Sequence, residues 1–343
     1  DESDPALANA HALRLLANGA DAITFLAPVN SQNDFERLVL GIQLEILDVE
    51  FTAADSGIQL LQWIADWCAS HHVDAKALRG GLRHANAEIT DNDYAALLSF
   101  ASDRFSLFRI WMVNASVVHE TGGTTIQEIV TALGLGSEFL HRAEVAGFSV
   151  DQSSAMLHFQ FGIGTGYFEE MAKLRAFRYL WSEVIAAFIP SHDCSYLTYV
   201  TSACSLRNQT TADIHNNLLR TTTEAMSAII AGTDSILVRA YNQVCGTTDP
   251  EGERLAANIY HLLHEESHLI GPDAVSGAHY IEALSSRLAM EAWNEFLALE
   301  SAGGYFLSES RWSDEIQRAA DKRKEKETSG KRVIIGVNKY RQS

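Results

Sequence analysis

The chain is short of the things that define several protein classes. Four cysteines in 343 residues (Cys68, Cys194, Cys204 and Cys245) are far apart and form no C-x-x-C pair. That excludes a disulfide framework and a zinc ribbon, and it points to reduced, buried thiols in a reducing, cytoplasmic compartment. Only five prolines are present, and the 22 glycines do not cluster into a linker. No apolar run reaches the ~18 residues of a membrane span. Basic residues are few, 26 against 44 acids, for a net charge of −18. A nucleic-acid surface needs clustered Lys and Arg to displace counterions, so none is expected. The first residues, Asp1-Glu2-Ser3-Asp4-Pro5, are polar and acidic, so no signal peptide is expected.

The scarce positive charge is concentrated at one end. Residues 318–343 hold nine basic groups against three acids, a balance of +6, which leaves −24 on residues 1–317. The run reads as the solvated face of a terminal helix beginning near residue 310, with docking of an acidic partner as the alternative. Hydrophobic residues make up 47% of the chain, ample for a core.

Short apolar runs alternate with longer amphipathic ones. Strands are expected at 22–26, 48–51, 107–113, 157–161, 196–200, 235–238 and 333–337. Helices are expected at 7–18, 57–71, 125–133, 169–188, 214–231 and 251–268. The alternation predicts βα units with a parallel sheet, and the nearly continuous apolarity of the strands fits burial on both faces. Seven or eight such units favour a closed (β/α)8 TIM barrel spanning 1–343 as one domain. A basic helix and a closing strand would occupy 310–343.

Several short patterns invite a chemical reading. His264-Glu265-Glu266-Ser267-His268 matches H-E-x-x-H, whose histidines would share a helix face and grip zinc. No third ligand is recognisable downstream, and Glu266 stands where an apolar or neutral residue is usual, so no metal site is expected. Gly162-Ile163-Gly164-Thr165-Gly166 stops short of G-x-G-x-x-G because Tyr167 takes the last place, so a tight strand-to-helix turn is expected. Ser191-His192-Asp193, adjacent in sequence, cannot form a triad with one another. Asp213-Ile214-His215 approaches the D-x-H-x-x-G loop of cobalamin-binding domains, but Leu218 replaces the glycine and Asp213 reads as a helix N-cap.

Three segments carry a family resemblance. The first is Phe161-Gly162-Ile163-Gly164 followed by 170–181, EMAKLRAFRYLW; the second is Thr201–Leu206 followed by 216–226, NNLLRTTTEAM. The third comprises Glu265–His268, Tyr280–Leu284 and Glu300–Gly304, and the ending Ile335–Tyr340 matches as well. Together they resemble the substrate barrel of methylmalonyl-CoA mutase and related acyl-CoA mutases, over roughly residues 100–343. The resemblance implies a barrel that threads CoA, a radical rearrangement of methylmalonyl-CoA and succinyl-CoA driven by adenosylcobalamin, and a separate cobalamin domain.

The chain departs from the family pattern at the substrate positions. The family's Tyr-His-Met-Gln-Glu-Ala-Gly motif is here Ser116-Val117-Val118-His119-Glu120-Thr121-Gly122, with Ser116 for the Tyr and Val117 for the His. Read as a strand, it puts His119 one pleat repeat from the lost His. The Arg and Ser of Pro-Arg-Leu-Ser become Met156 and His158, and the His and Gln of His-x-Gln-Thr-Ser-Gly-Trp become Thr198 and Val200. A valine can neither hydrogen-bond a thioester carbonyl nor act as an acid. Catalytic residues are therefore expected to be absent, with His119 and Glu120 lining what pocket remains.

The resemblance thus implies the small (beta) subunit of a heterodimeric mutase. It would bind no cofactor itself, with adenosylcobalamin in a catalytic large (alpha) subunit that it stabilises. When isolated from that partner, a homodimer is the expected form. No downstream cobalamin domain is expected on this chain. The alternative is an acyl-CoA mutase barrel with altered acyl-CoA specificity, whose cobalamin domain is a separate chain and whose rebuilt pocket uses His119, Glu120 and His158.

Overall fold

The computed structural model describes residues 3–84, 89–246, 248–269 and 274–341. It is an α/β fold with parallel strands, and the chain divides into two compact units. The first comprises Asp1–Val113, Phe139–His158 and Ile185–Thr198; the second comprises Asn114–Glu138, Phe159–Val184 and Tyr199–Ser343.

In the first unit, β1 (Ala22–Val29), β2 (Asp48–Ala53), β3 (Arg79–His84) and β4 (Leu107–Arg109) form a parallel sheet in that order. Helices Pro5–Ala17, Gln32–Val39, Ile58–His71 and Asp91–Ser102 accompany the strands. Three of them start on side-chain caps: Asp4, Ser31 and Thr90 each accept a backbone N–H of the first turn. The sheet packs on aromatic side chains. Phe51 stacks on Phe25 and meets Phe35 edge-on, and all three are buried.

β3 falls in a segment with no apolar run. Its Gly80-Gly81 pair lowers strand propensity, which hides it from a periodicity reading. A Cβ at Gly81 would lie 2.5 Å from the Arg109 carbonyl oxygen and 3.2 Å from His158 Cε1, so close packing excludes a side chain there. The expected strand at 107–113 is interrupted at Ile110, whose N–H donates to the Met156 carbonyl. Beyond that break, β5 (Trp111–Asn114) begins a second sheet of order β5-β6-β7-β8, with β6 at Leu157–Ile163, β7 at Tyr199–Cys204 and β8 at Ser235–Leu237. The chain passes between the units within β5 and again within β6. All seven residues of β6 are buried, and β7 pairs with β8 in parallel.

β7 starts three residues later than expected because Asp193–Tyr196 is a 3-10 turn. The Asp151 carboxylate holds that turn by accepting the N–H groups of Ser191 and His192 and the Ser195 hydroxyl. Cys194 sits in it, exposed, and Cys245 is likewise exposed in the short turn Gln243–Cys245. The expectation of buried thiols holds only for Cys68 and Cys204.

The second unit holds the helix Tyr167–Ala187 as far as Val184, followed by Asn216–Ile230, Pro250–His261, His279–Ser301 and Tyr305–Thr328, the last being the expected basic helix. The expected closing strand at 333–337 is not formed; residues 335 and 339 make a single bridge. Asn338 explains why. Its side chain accepts the Ile334 N–H and donates to the carbonyls of Glu327 and Arg332, folding the segment into a turn with Gly336 at φ +79°. The β-branched run 333–335 lacks a partner strand, and local hydrogen bonds win. Among the described residues, no helix is long and apolar enough to cross a membrane.

Candidate functional site

The segment Ser116–Thr121 is a helix rather than a strand, stopped by Gly122 at φ +111°. The correction changes which side chains share a face, because residues three apart are neighbours on a helix. Ser116 and His119 are both buried, whereas Val117 is 55% exposed and turned away from them. The Ser116 hydroxyl donates to Asn114 Oδ1 at 2.6 Å and accepts from Gln160 Nε2 at 2.9 Å.

His119 lies against β6, and glycine makes that approach feasible. A Cβ at Gly162 would stand 2.6 Å from His119 Cγ, and one at Gly164 would stand 2.9 Å from His119 Cε1. The Gly162-Ile163-Gly164 run therefore does more than turn the chain toward the helix at Tyr167; it makes room for an imidazole. His119 Nε2 is 3.0 Å from Arg207 Nη2, its carbonyl accepts from Arg207 Nη1, and its Nδ1 is 3.7 Å from Glu128 Oε2. Glu120 accepts the backbone N–H groups of Leu206 and Arg207 at 3.2 and 3.0 Å. The two residues expected to line a remaining pocket thus meet on Arg207.

Around them lies a chain of buried charges that the sequence did not single out. Lys173 is fully buried, with Nζ 2.8 Å from Glu128 Oε2, 2.5 Å from Glu170 Oε2 and hydrogen-bonded to the Gly162 carbonyl. Glu128 accepts the Gly162 N–H at 2.7 Å, and Glu170 accepts the Gly164 N–H at 2.9 Å. Burial would raise the Glu128 pKa, but the charge of Lys173 and the contact with His119 outweigh it and hold the carboxyl below its usual range. Lys173 is likewise opposed by burial, yet its two carboxylates keep it firmly charged. Glu224 behaves in the opposite way. Burial and the nearby charges of Glu170 and Glu120 push its pKa well above normal, although it accepts from Asn208 Nδ2 and the Ser205 N–H.

The first unit holds a second cluster. His158 is fully buried with Nε2 3.0 Å from Glu50 Oε1, and Arg83 Nη1 reaches Glu50 Oε2 at 3.2 Å. Thr24 donates to the same carboxylate. Burial acts to raise the Glu50 pKa, but His158 and then Arg83 outweigh it and hold it at about 2. Met156 is buried in the 3-10 turn Ser154–Met156 that precedes β6. Thr198, half-buried, precedes β7, and Val200 is fully buried in β7, its N–H donating to Asp234 Oδ2 at 2.8 Å. By unit, Met156, His158 and Thr198 fall in the first, and Ser116, Val117, His119, Glu120 and Val200 in the second.

The weaker motifs resolve into structure. After His261 the helix loosens into a π turn over Leu262–Glu266 and ends, and His268 adopts φ +52°, so His264 and His268 do not share a regular helix face. Among the described residues, no group of three His, Cys, Asp or Glu side chains is arranged to hold a metal. The N-cap position of the helix Asn216–Ile230 is His215, not the expected Asp213, whose carboxylate instead accepts from the Asn216 side chain. His215 stacks on Tyr241, and the run does not fit a cobalt-ligating loop, with Leu218 in place of glycine and a helix starting at Asn216.

Each unit thus holds a buried ion cluster, around Glu50 in the first and around Lys173 in the second. The family model for methylmalonyl-CoA mutase matches residues 27–343. The chain belongs to the methylmalonyl-CoA mutase family. It is 31% identical to the methylmalonyl-CoA mutase small subunit of Porphyromonas gingivalis over 97% of this chain and 56% of that protein. It is 28% identical to the small subunit of Streptomyces virginiae, over 98% and 57%, and 30% identical to the large subunit of the same organism, over 91% and 45%. The chain therefore spans about half the length of the mutase relatives it matches. Large and small subunits both occur among those mutase relatives.

The charged clusters were the part least legible beforehand. Lys173 and Glu170 lie inside the 170–181 segment that carries the mutase resemblance, but nothing in spacing says that they face inward. Glu50, between Val49 and Phe51, interrupts an apolar stretch, which is the one signal the sequence offers for it; Glu224, after three threonines, carries none.

Proposed function

We propose that this chain is the non-catalytic small subunit of a heterodimeric, adenosylcobalamin-dependent methylmalonyl-CoA mutase, a cytoplasmic isomerase, and that it stabilises the catalytic large subunit. In this reading its eight strands close as one (β/α)8 barrel, and adenosylcobalamin belongs to the large subunit. The observation that carries the proposal is His158. It stands where the family places a substrate-binding serine, and it is buried against Glu50, which is itself engaged by Arg83. Met156 beside it replaces the family's arginine with a buried thioether, and Val117, in place of the catalytic His, points to solvent. A group that must contact substrate cannot act from a closed ion cluster without breaking it, and leaving one partner of a buried pair unpaired costs several kcal/mol.

The test is activity and assembly together. The chain alone, supplied with adenosylcobalamin and methylmalonyl-CoA, gives no succinyl-CoA. Coexpressed with a mutase large subunit, it copurifies at one-to-one stoichiometry and raises that subunit's thermal midpoint. Turnover by the chain alone overturns the assignment.

A further inference from the structure

Two helices of the first unit, Gln32–Val39 and Ile58–His71, flank a groove of about 810 Å³. Its floor is Phe35, fully buried. One wall is the stripe Trp63, Asp66, Trp67 and Ser70, spaced at i, i+3, i+4 and i+7 so that all face the same way. Both indoles are only partly buried, and His71 stacks on Trp67 with ring centroids 4.3 Å apart. Leu40, 71% exposed, adds an apolar lip.

The charges in this groove are of one sign. Glu36, Glu45 and Asp66 line it, all exposed, and among the described residues no lysine or arginine does. Glu36 and Asp66 accept from the neighbouring side-chain amides of Gln32 and Gln62. Indole faces attract cations through their quadrupole, and carboxylates add direct charge complementarity. The three carboxylates are spread over one helix, the following loop and the second helix, so a ligand that pairs with each of them spans that stretch of the groove. A ligand that does so carries several cationic groups along an extended body with apolar stems to lie on Leu40 and the indoles. Arginine side chains of a polypeptide have this chemistry.

We propose that the groove docks an arginine-rich segment of a protein partner. The inference stands on the groove alone and is independent of the mutase assignment.

The experiment titrates the intact chain with a synthetic peptide of about 12 residues alternating arginine and leucine, read by tryptophan fluorescence and calorimetry. Saturable binding is expected, weakened at least about tenfold when NaCl rises from about 0.05 to about 0.5 M. The E36Q/E45Q/D66N variant, altered only at exposed positions, is expected to bind at least about tenfold more weakly. E309Q/D314N/E325Q, which removes three exposed acids of the second unit, binds like the parent. Failure of the peptide to bind overturns the proposal. So does equal loss in both triple variants, which marks diffuse attraction to an acidic chain, or equal binding of a peptide with glutamate in place of arginine.

Discussion

Two buried carboxylates in this chain respond to pH in opposite directions, and each makes a separate prediction. Glu50 is held at about 2 against an ordinary value of 4.5. Its unfolded form takes up a proton first, so its contribution to stability is fully present above pH 4.5 and is lost as pH falls toward 2. A shift of this size corresponds to about 3 kcal/mol. Glu50→Gln is therefore expected to lose about that much at pH 7 and to show a shallower acid limb in urea melts between pH 7 and 3. An unchanged acid limb would show that Glu50 does not carry it. Glu224 has a raised pKa, so the folded state binds the proton more tightly and stability falls as pH rises above about 4.5. Glu224→Gln keeps an acceptor for the Ser205 N–H and removes the titration. It is expected to be at least as stable as the parent at pH 8, with a flatter profile on the alkaline side. A variant less stable than the parent at every pH sinks that account.

Elements were legible where periodicity alone decides them. β1, β2, β6 and β8 lie where short apolar runs predicted, and the basic terminal helix follows from its charge run. The reading failed where a distant partner or a local side chain decided the outcome. β3 needs Gly81 because His158 and the Arg109 carbonyl crowd it. The run 333–337 has strand propensity but no strand to join, and Asn338 folds it instead. Ser116–Thr121 looks like a strand over a few residues, and only Gly122 hints that a helix ends there. The same dependence on a distant contact predicts an epistatic pair. Gly162→Ala puts a methyl group 2.6 Å from His119 Cγ and is expected to cost about 1–3 kcal/mol. His119→Ala removes the ring but leaves its own Cβ 2.7 Å from that methyl, so in the double variant the cost of the alanine at 162 shrinks in part, a coupling that a double-mutant cycle by thermal melts measures. Additive losses would show that the imidazole is not what demands the glycine.

At the scale of the whole molecule, charge separates the small-subunit reading from an acyl-CoA mutase with altered specificity. The chain carries −18, and CoA esters are polyanions. A CoA site needs cations free to meet phosphates, yet the fully buried Lys173 is committed to Glu128 and Glu170, and the partly buried Arg83 to Glu50. Admitting an acyl-CoA there would mean breaking a buried pair, at about 3–5 kcal/mol, which lowers affinity by about two to four powers of ten. Calorimetry of the isolated chain with methylmalonyl-CoA, succinyl-CoA and longer branched acyl-CoAs is therefore expected to give no saturable heat up to about 1 mM. Saturable binding of any of them would favour the altered-specificity reading, and His158→Ser supplies the control. If the His158–Glu50–Arg83 cluster is what occupies the substrate position, restoring the family's serine loosens it and lowers the thermal midpoint without conferring turnover, because Val117 and Met156 still lack the groups that would hold a thioester.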